Sequence, residues 1–248
     1  MNILKYKKLT NGRYKVILEN NVELTLYEDI ILKYELLLKK DISDKLLPKI
    51  KEDNSYYEAY YSTLKSLNTK YKSISETKKY LYNKEYDKDI IDKVVDNLIN
   101  QGYLNDNNYC ISYINNQIIT TNWGPYKIKN ELIKKGIEES IIDENMIVFD
   151  DSLQRERINK IIEKLIKNNR TKGGIVLKNK ITSSIINLGY YTSIIKEEVS
   201  KYDFKIDKDT YKREYNKIYK SLSRKYEGNE LEYKIKQKMY QKGMYYED

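Results

Sequence analysis

Basic side chains recur at helical spacing in two segments near the end of this sequence. The first set, spaced three, four and three residues apart, is Arg157, Lys160, Lys164 and Lys167. The second set, spaced four, three and four residues apart, is Arg213, Lys217, Lys220 and Arg224. At about 100° per residue each set forms one stripe along a helix, and Arg170 and Lys172 directly follow the first stripe. Such stripes can bind phosphate backbones or acidic protein surfaces, although a single charged helix face is more often only solvated.

The net charge of +9 lies almost entirely in the C-terminal two fifths of the chain. Residues 1–149 carry 23 basic and 22 acidic side chains, whereas residues 150–248 carry 23 basic and 15 acidic side chains. This asymmetry indicates an acidic partner for the C-terminal part. If the two helices are equivalent members of a repeat, their stripes can line one groove.

Catalytic chemistry has few candidates here. The sequence has no histidine, which excludes Ser-His-Asp, Cys-His and histidine-metal sites, and no glycine-rich phosphate loop. Cys110 is the single cysteine and is expected to be a small buried residue. Asp150 and Asp151 can hold magnesium in principle, but two acids before an apolar helical pattern more often cap the helix. We therefore expect no enzyme activity, no metal and no cofactor.

The 27 tyrosines raise the question of base stacking. Pairs such as Tyr56-Tyr57 and Tyr60-Tyr61 recur at helical spacing, which favours a role in the core instead.

The first 53 residues predict a small N-terminal region. Three short β-type runs within residues 3–26 are joined by the turns Asn11-Gly12 and Asn20-Asn21, which indicates a three-stranded meander. Residues 28–40 and 43–53 then follow as two short helices. No strand pattern comes after them.

A six-residue motif, here called the repeated word, occurs four times in the rest of the chain. It reads LYNKEY at 81–86, LIKKGI at 132–137, IINLGY at 185–190 and MYQKGM at 239–244, and each copy ends a short helix. A glycine there supplies a left-handed residue after the helix, and Glu85 replaces it in the first copy. A longer helix precedes each word and, in the first three copies, a third helix follows. We therefore predict three-helix repeats at residues 54–104, 105–149 and 150–202, with a truncated fourth at 203–248.

The predicted fold is mainly all-α, with tandem three-helix repeats forming an elongated, curved solenoid after the β-meander. No run of about 18 apolar residues exists, so we expect no membrane segment and a cytoplasmic location. Tandem three-helix units also look like helix-turn-helix modules. A free-standing DNA-binding protein is therefore an alternative function.

Residues 102–137 resemble the signature of the RecX family of recombination regulators. The resemblance covers most of residues 1–248; it is strong in residues 75–149 and weak in the third and fourth repeats. The family has a Gly-Tyr-Leu-acidic turn, a helix, a Gly-Pro, and an Ile-x-x-Glu-Leu-x-x-Lys-Gly-Ile helix. The matching residues are Gly102, Tyr103, Leu104, Asp106, Gly124, Pro125, Ile128, Glu131, Leu132, Lys135, Gly136 and Ile137. One departure is that Asn115, Asn116 and Gln117 stand where the family usually has arginines. If basic residues mediate partner binding, either they lie in the third and fourth repeats instead or the contact is weaker.

The resemblance implies a non-enzymatic modulator of the RecA recombinase that regulates DNA repair and the SOS response. Members bind RecA, chiefly as a filament on single-stranded DNA, and inhibit strand exchange, ATP hydrolysis and co-protease activity. For this chain we expect a monomer that binds the filament and makes direct, non-specific contact with DNA through its ten basic residues.

Overall fold

A computed structural model describes residues 1–245, which form a small antiparallel sheet followed by helices. The strands are β1 (Ile3–Lys8), β2 (Arg13–Leu18) and β3 (Glu23–Tyr27). The first helices are α1 (Glu28–Lys33), α2 (Leu36–Lys39), α3 (Leu47–Thr69), α4 (Ile74–Tyr82), α5 (Lys88–Asn100) and α6 (Asp106–Thr120). The later helices are α7 (Pro125–Lys134), α8 (Glu139–Asn145), α9 (Asp151–Asn168), α10 (Gly174–Asn187), α11 (Thr192–Ser200), α12 (Lys208–Leu222) and α13 (Gly228–Gln241). The prediction of a mainly helical chain with a small N-terminal meander is confirmed.

The sheet has the order β1-β2-β3, and both strand pairs are antiparallel. Val16, Leu18, Leu24 and Leu26 alternate along β2 and β3 and are all buried. This alternation fixes which face of the sheet packs on the helices.

The helices after the sheet differ from the sequence prediction. Residues 28–40 form two helical pieces, separated at Glu35 with a φ of 50°. The helix predicted to end near residue 53 continues as α3 to Thr69 because nothing after Asp53 breaks the helical pattern. The predicted boundary between residues 53 and 54 therefore falls inside a helix, and the repeat boundaries stay a prediction.

The apolar side chains of α5 recur at helical spacing and form its buried face. Ile90, Ile91, Val94, Val95 and Leu98 are the buried side chains of this helix. They pack with Ala59 of α3 and Leu81 of α4 in one core cluster.

Contacts divide the chain into two compact units. The first unit holds Met1–Tyr109 and Lys135–Ile137, and the second holds Cys110–Lys134 and the residues from Glu138 onward. In the first unit, one core lies under the sheet and another lies among α3, α4 and α5. In the second unit, a core cluster joins α12 and α13 through Ile218, Leu222, Ile235 and Met239.

Each word that repeats in the sequence ends a helix with a left-handed residue. Gly136, Gly189 and Gly243 have φ values of 77°, 87° and 72°, and Glu85 has a φ of 61°. The prediction of a left-handed residue after each of these helices is therefore confirmed.

Three of these four residues, the glycines, also lie very close to the start of an earlier helix. Within the first unit, a Cβ on Gly136 would lie 2.3 Å from Cβ of Ser75, near the start of α4. Within the second unit, a Cβ on Gly124 would lie 2.6 Å from the carbonyl carbon of Gly189. A Cβ on Gly243 would likewise lie 1.9 Å from the carbonyl oxygen of Gly173. We call these three contacts the glycine joints; each connects one predicted repeat to the next.

In the part of the chain that the structure describes, no helix is long and apolar enough to cross a membrane.

Candidate functional site

The first basic stripe lies along α9. Asp150 caps this helix by accepting a hydrogen bond from the Leu153 amide at 2.7 Å, and Ile158, Ile161 and Ile162 bury one face. The opposite, exposed side carries Lys160, Lys164 and Lys167. The amphipathic pattern predicted this division correctly.

The second stripe lies along α12, which is capped by Asp207. Its buried side is formed by Glu214, Ile218 and Leu222. All four predicted basic residues of this stripe, Arg213, Lys217, Lys220 and Arg224, are exposed.

One cleft brings the ends of the two stripes together. It has a volume of about 580 Å³ and lies entirely within the second unit. Its basic lining residues are Lys167 from α9, Arg170 and Lys172 from the loop after it, Lys205 and Arg213. Its acidic lining residues are Glu163, Asp203 and Asp207. With five basic and three acidic side chains, the lining of the cleft has a net positive charge, which suits an anionic partner.

The remaining predicted cations lie outside this cleft. Lys164, Lys217, Lys220 and Arg224 are exposed, and none has an ion-pair partner among residues 1–245. Lys160 pairs with Glu156 one turn earlier at 2.5 Å, and this hydrogen bond lowers the pKa of the Glu156 carboxyl. Lys160 is therefore the stripe lysine whose charge is already partly balanced.

Arg157 has a different role from the one predicted. Its guanidinium donates to the carbonyl oxygens of Ile118 and Thr121, both at 2.6 Å, and to the Tyr190 hydroxyl at 3.1 Å. It also lies 5.6 Å from the ring centre of Phe149. The first two acceptors are at the end of α6, where carbonyl groups lack helical partners. Arg157 is thus a structural cation that ties the end of α6 to α9, and it is not a free surface charge.

The acids considered for metal binding have structural roles. Asp150 is the N-cap of α9, and Asp151 lies in its first turn. Within residues 1–245, no group of three or more Asp, Glu, Cys or His side chains is arranged to hold a metal ion.

The residues of the family motif hold the fold together. Leu104, Pro125, Ile128, Leu132 and Ile137 are buried. Gly102 ends α5 with a φ of 77°, and Tyr103 is 51% exposed. Gly124 and Gly136 belong to the glycine joints, and Glu131 pairs with Lys134 on the surface.

Two charged motif residues bind around the start of α4. Asp106 accepts a hydrogen bond from the Ile74 amide at 2.9 Å, and burial raises the pKa of its carboxyl. Lys135 Nζ lies 2.8 Å from Glu76 Oε1, while its carbonyl accepts from the Ser73 hydroxyl at 2.6 Å. Burial alone would raise the pKa of Glu76, but hydrogen bonds from Lys135 and Ser73 outweigh it and lower that pKa.

Sequence reasoning missed Lys205, which lines the cleft beside Phe204 and Ile206. This segment between α11 and α12 has no helical period, so Lys205 could not be assigned to a helix face from the sequence. Its only signal was a lysine between two apolar residues.

Comparisons with known proteins agree on one family. The protein-family model for the second three-helix domain of RecX matches residues 105–146 of this chain. Regulatory protein RecX of Streptococcus pneumoniae strain R6 is 30% identical over 253 residues, covering 100% of this chain and 96% of that protein. Regulatory protein RecX of Streptococcus sanguinis strain SK36 is 29% identical with the same coverage.

Two solved structures are similar in fold. A crystal structure of RecX from Lactobacillus salivarius has a TM-score of 0.57 and 28% identity, covering 60% of this chain and 97% of that one. A crystal structure of a regulatory protein RecX has a TM-score of 0.67 and 23% identity, covering 79% of this chain and 97% of that one.

Proposed function

This chain belongs to the RecX family of regulatory proteins, and on that premise we propose that it binds the RecA recombinase as a filament on single-stranded DNA. Bound there, it inhibits the recombinase, ATPase and co-protease activities of RecA. It thereby contributes to the control of DNA repair and of the SOS response. We also propose that the protein is located in the cytoplasm, where RecA acts.

The main support for this proposal is the basic cleft. Lys167, Arg170, Lys172 and Arg213 come from two predicted repeats and line one concave surface. A nucleoprotein filament is polyanionic, and a concave basic surface attracts and orients such a partner through its field. Regulation by binding also needs no catalytic group.

The unpaired stripe lysines extend the same surface along two helices. Lys164 precedes the cleft on α9, whereas Lys217 and Lys220 follow it on α12. Because these cations are exposed, their attraction for a partner is screened by salt. We therefore expect inhibition of RecA to weaken as the salt concentration rises.

The test is ATP hydrolysis by the cognate RecA on single-stranded DNA, measured with and without this protein. We expect the wild-type chain to inhibit hydrolysis. A variant with Lys164→Glu, Lys167→Glu, Lys217→Glu and Lys220→Glu should need at least about tenfold more protein for the same inhibition, because four phosphate-facing charges are reversed.

The matched control reverses four exposed lysines of the first unit, Lys45, Lys51, Lys65 and Lys70. It changes the net charge by the same amount but leaves the cleft and both stripes intact, so it should inhibit almost as well as the wild type. Equal inhibition by both quadruple variants would refute a role for the basic surface. No inhibition by the wild-type chain, together with tight, sequence-selective binding to bare DNA, would instead favour a free-standing DNA-binding protein.

A further inference from the structure

Helix α12 carries a row of tyrosine rings, of which the last two are exposed. Tyr211, Tyr215 and Tyr219 follow one another every four residues, and neighbouring ring centres are 6.4 Å apart. The interplanar angles of 20° and 16° make the three rings nearly parallel. Tyr215 is 37% exposed and Tyr219 is 46% exposed. Neither of these two hydroxyls has a hydrogen-bond partner among the residues that the structure describes.

Tyrosines with the same spacing on α3 are held by contacts within the first unit. Their hydroxyls bond to neighbouring side chains in three pairs: Tyr56 with Asn97, Tyr60 with Gln101, and Tyr61 with Asp29. Tyr61 also stacks on Tyr27 with ring centres 5.0 Å apart. The expectation that tyrosine serves the core therefore holds for Tyr56 and Tyr60, which pack against a core cluster. It does not account for Tyr215 and Tyr219.

Two lysines share the face of α12 that carries the exposed rings. Lys208, Lys212, Tyr215 and Tyr219 are spaced four, three and four residues apart, so they form one stripe. Both lysines are exposed and have no ion-pair partner within residues 1–245. The carboxylate of Glu214 on the same helix is already bound to Lys242. This face of α12 therefore combines aromatic rings with uncompensated positive charge.

A cavity adjoins the start of this row. It has a volume of about 610 Å³, and its lining includes Lys205, Lys208, Tyr202 and Tyr211. Because Lys208 and Tyr211 belong to both the cavity and α12, the exposed row leads directly into a concave, basic and aromatic site.

We propose that α12 binds single-stranded nucleic acid, with bases stacked against Tyr215 and Tyr219 and phosphates held by Lys208 and Lys212. Exposed rings beside lysines suit a single strand because its bases offer their flat faces, whereas a duplex has already stacked them. Every base has such a face, so binding does not depend on sequence. This inference deepens the proposed function by naming the strand contact, and its test contains no RecA.

The experiment compares binding of the full chain to oligothymidylate and to an abasic strand of the same length, at one salt concentration. Both strands carry the same phosphates, so a difference between them reports on the bases. We expect the wild type to prefer oligothymidylate by about tenfold or more. Tyr215→Ala with Tyr219→Ala should remove this preference while leaving affinity for the abasic strand unchanged.

Further variants separate stacking from folding and from protein docking. Tyr215→Phe with Tyr219→Phe should keep the preference because the hydroxyls have no partners. Tyr215→Leu with Tyr219→Leu should lose it while keeping apolar bulk, in case the alanine variant does not fold. Tyr82→Ala, which removes a 75% exposed tyrosine from the first unit, is the matched control and should change nothing.

Two results would overturn the proposal. One is equal affinity of the wild type for the two strands, which would mean that only phosphates are bound. The other is that the wild type self-associates, that the leucine variant does not, and that the wild type shows no preference for oligothymidylate. The tyrosine row would then be a protein interface. Either result leaves RecA inhibition to be decided by its own assay.

Discussion

Gly124 and Gly189 meet backbone against backbone, although they belong to different predicted repeats. The Gly124 amide donates to the Leu188 carbonyl at 2.7 Å, and the Tyr126 amide donates to the Gly189 carbonyl at 3.0 Å. A Cβ on Gly124 would lie 2.6 Å from the Gly189 carbonyl, a distance that real Cβ atoms essentially never show. The glycine in each of the last three repeated words therefore serves two purposes, a left-handed turn and a close approach between predicted repeats.

Gly189→Ala tests this double role. Gly189 has a φ of 87°, and a Cβ there would lie 2.6 Å from the Lys127 amide nitrogen. The left-handed conformation and the overlap should together lower the free energy of unfolding by about 2 to 4 kcal/mol. Urea denaturation followed by circular dichroism measures this loss.

Glu85 provides the natural control for that substitution. It takes the same left-handed conformation in the first repeated word, but it is exposed and belongs to none of the three glycine joints. Glu85→Gly should therefore leave stability unchanged or raise it by up to about 1 kcal/mol, since relief of strain competes with a more flexible unfolded chain. No loss in Gly189→Ala would contradict the glycine joints, whereas a clear loss in Glu85→Gly would mean that this left-handed position does not favour glycine.

Arg157→Gln should destabilise the second unit. Arg157 donates hydrogen bonds to the carbonyl oxygens of both Ile118 and Thr121, and a glutamine side chain cannot donate to both. We expect the free energy of unfolding to fall by about 2 kcal/mol, as is typical for hydrogen bonds from a charged group. Lys164→Gln removes an exposed charge from the same helix and should change stability by less than about 0.5 kcal/mol. If thermal denaturation gives the two variants equal melting temperatures, Arg157 has no structural role.

Local patterns predicted most of the secondary structure, but not the break at Glu35, the full length of α3 or the contacts between distant segments. Alternation in β2 and β3 and the helical period of α5 both act within a few residues, so the buried faces followed directly from the sequence. The partners of Arg157 are carbonyl groups 36 and 39 residues away, freed where α6 ends. Nothing in the local pattern of α9 distinguishes this arginine from its neighbouring lysines. For the same reason, Lys205 could not be placed beside the stripes from the sequence, and one groove lined by both whole stripes stays a prediction.

The pH dependence of stability should depend on Glu198. Its side chain is fully buried, which by itself would raise the pKa, but hydrogen bonds from Lys201, Arg155 and Asn159 outweigh burial and lower the pKa from 4.5 to about 2. A lowered pKa means that ionised Glu198 stabilises the fold at neutral pH. This contribution, of about 3 kcal/mol, is lost as the pH falls from about 4.5 towards 2.

Glu198→Gln should therefore lower stability at pH 7 and flatten its decline below pH 4.5, as measured by urea midpoints across this range. Glu197→Gln is the matched control, because Glu197 contacts the same Arg155 but is 57% exposed. Its urea midpoints should follow the wild type. An unchanged acid decline in Glu198→Gln would assign the pH dependence to other groups.

Lys135→Met tests whether the lysine of the family motif is structural or a surface charge for a partner. Lys135 and Glu76 are only 21% and 26% exposed, and Glu76 also accepts hydrogen bonds from the Ser73 amide and the Tyr109 hydroxyl. Loss of the lysine leaves a half-buried carboxylate without its cation, so the free energy of unfolding should fall by about 1 to 2 kcal/mol. Its neighbour Lys134 is 70% exposed and pairs with Glu131, so Lys134→Met should cost less than about 0.5 kcal/mol. Equal losses in urea denaturation would mean that the motif lysine has no special structural role, and a partner-binding role would then have to explain it.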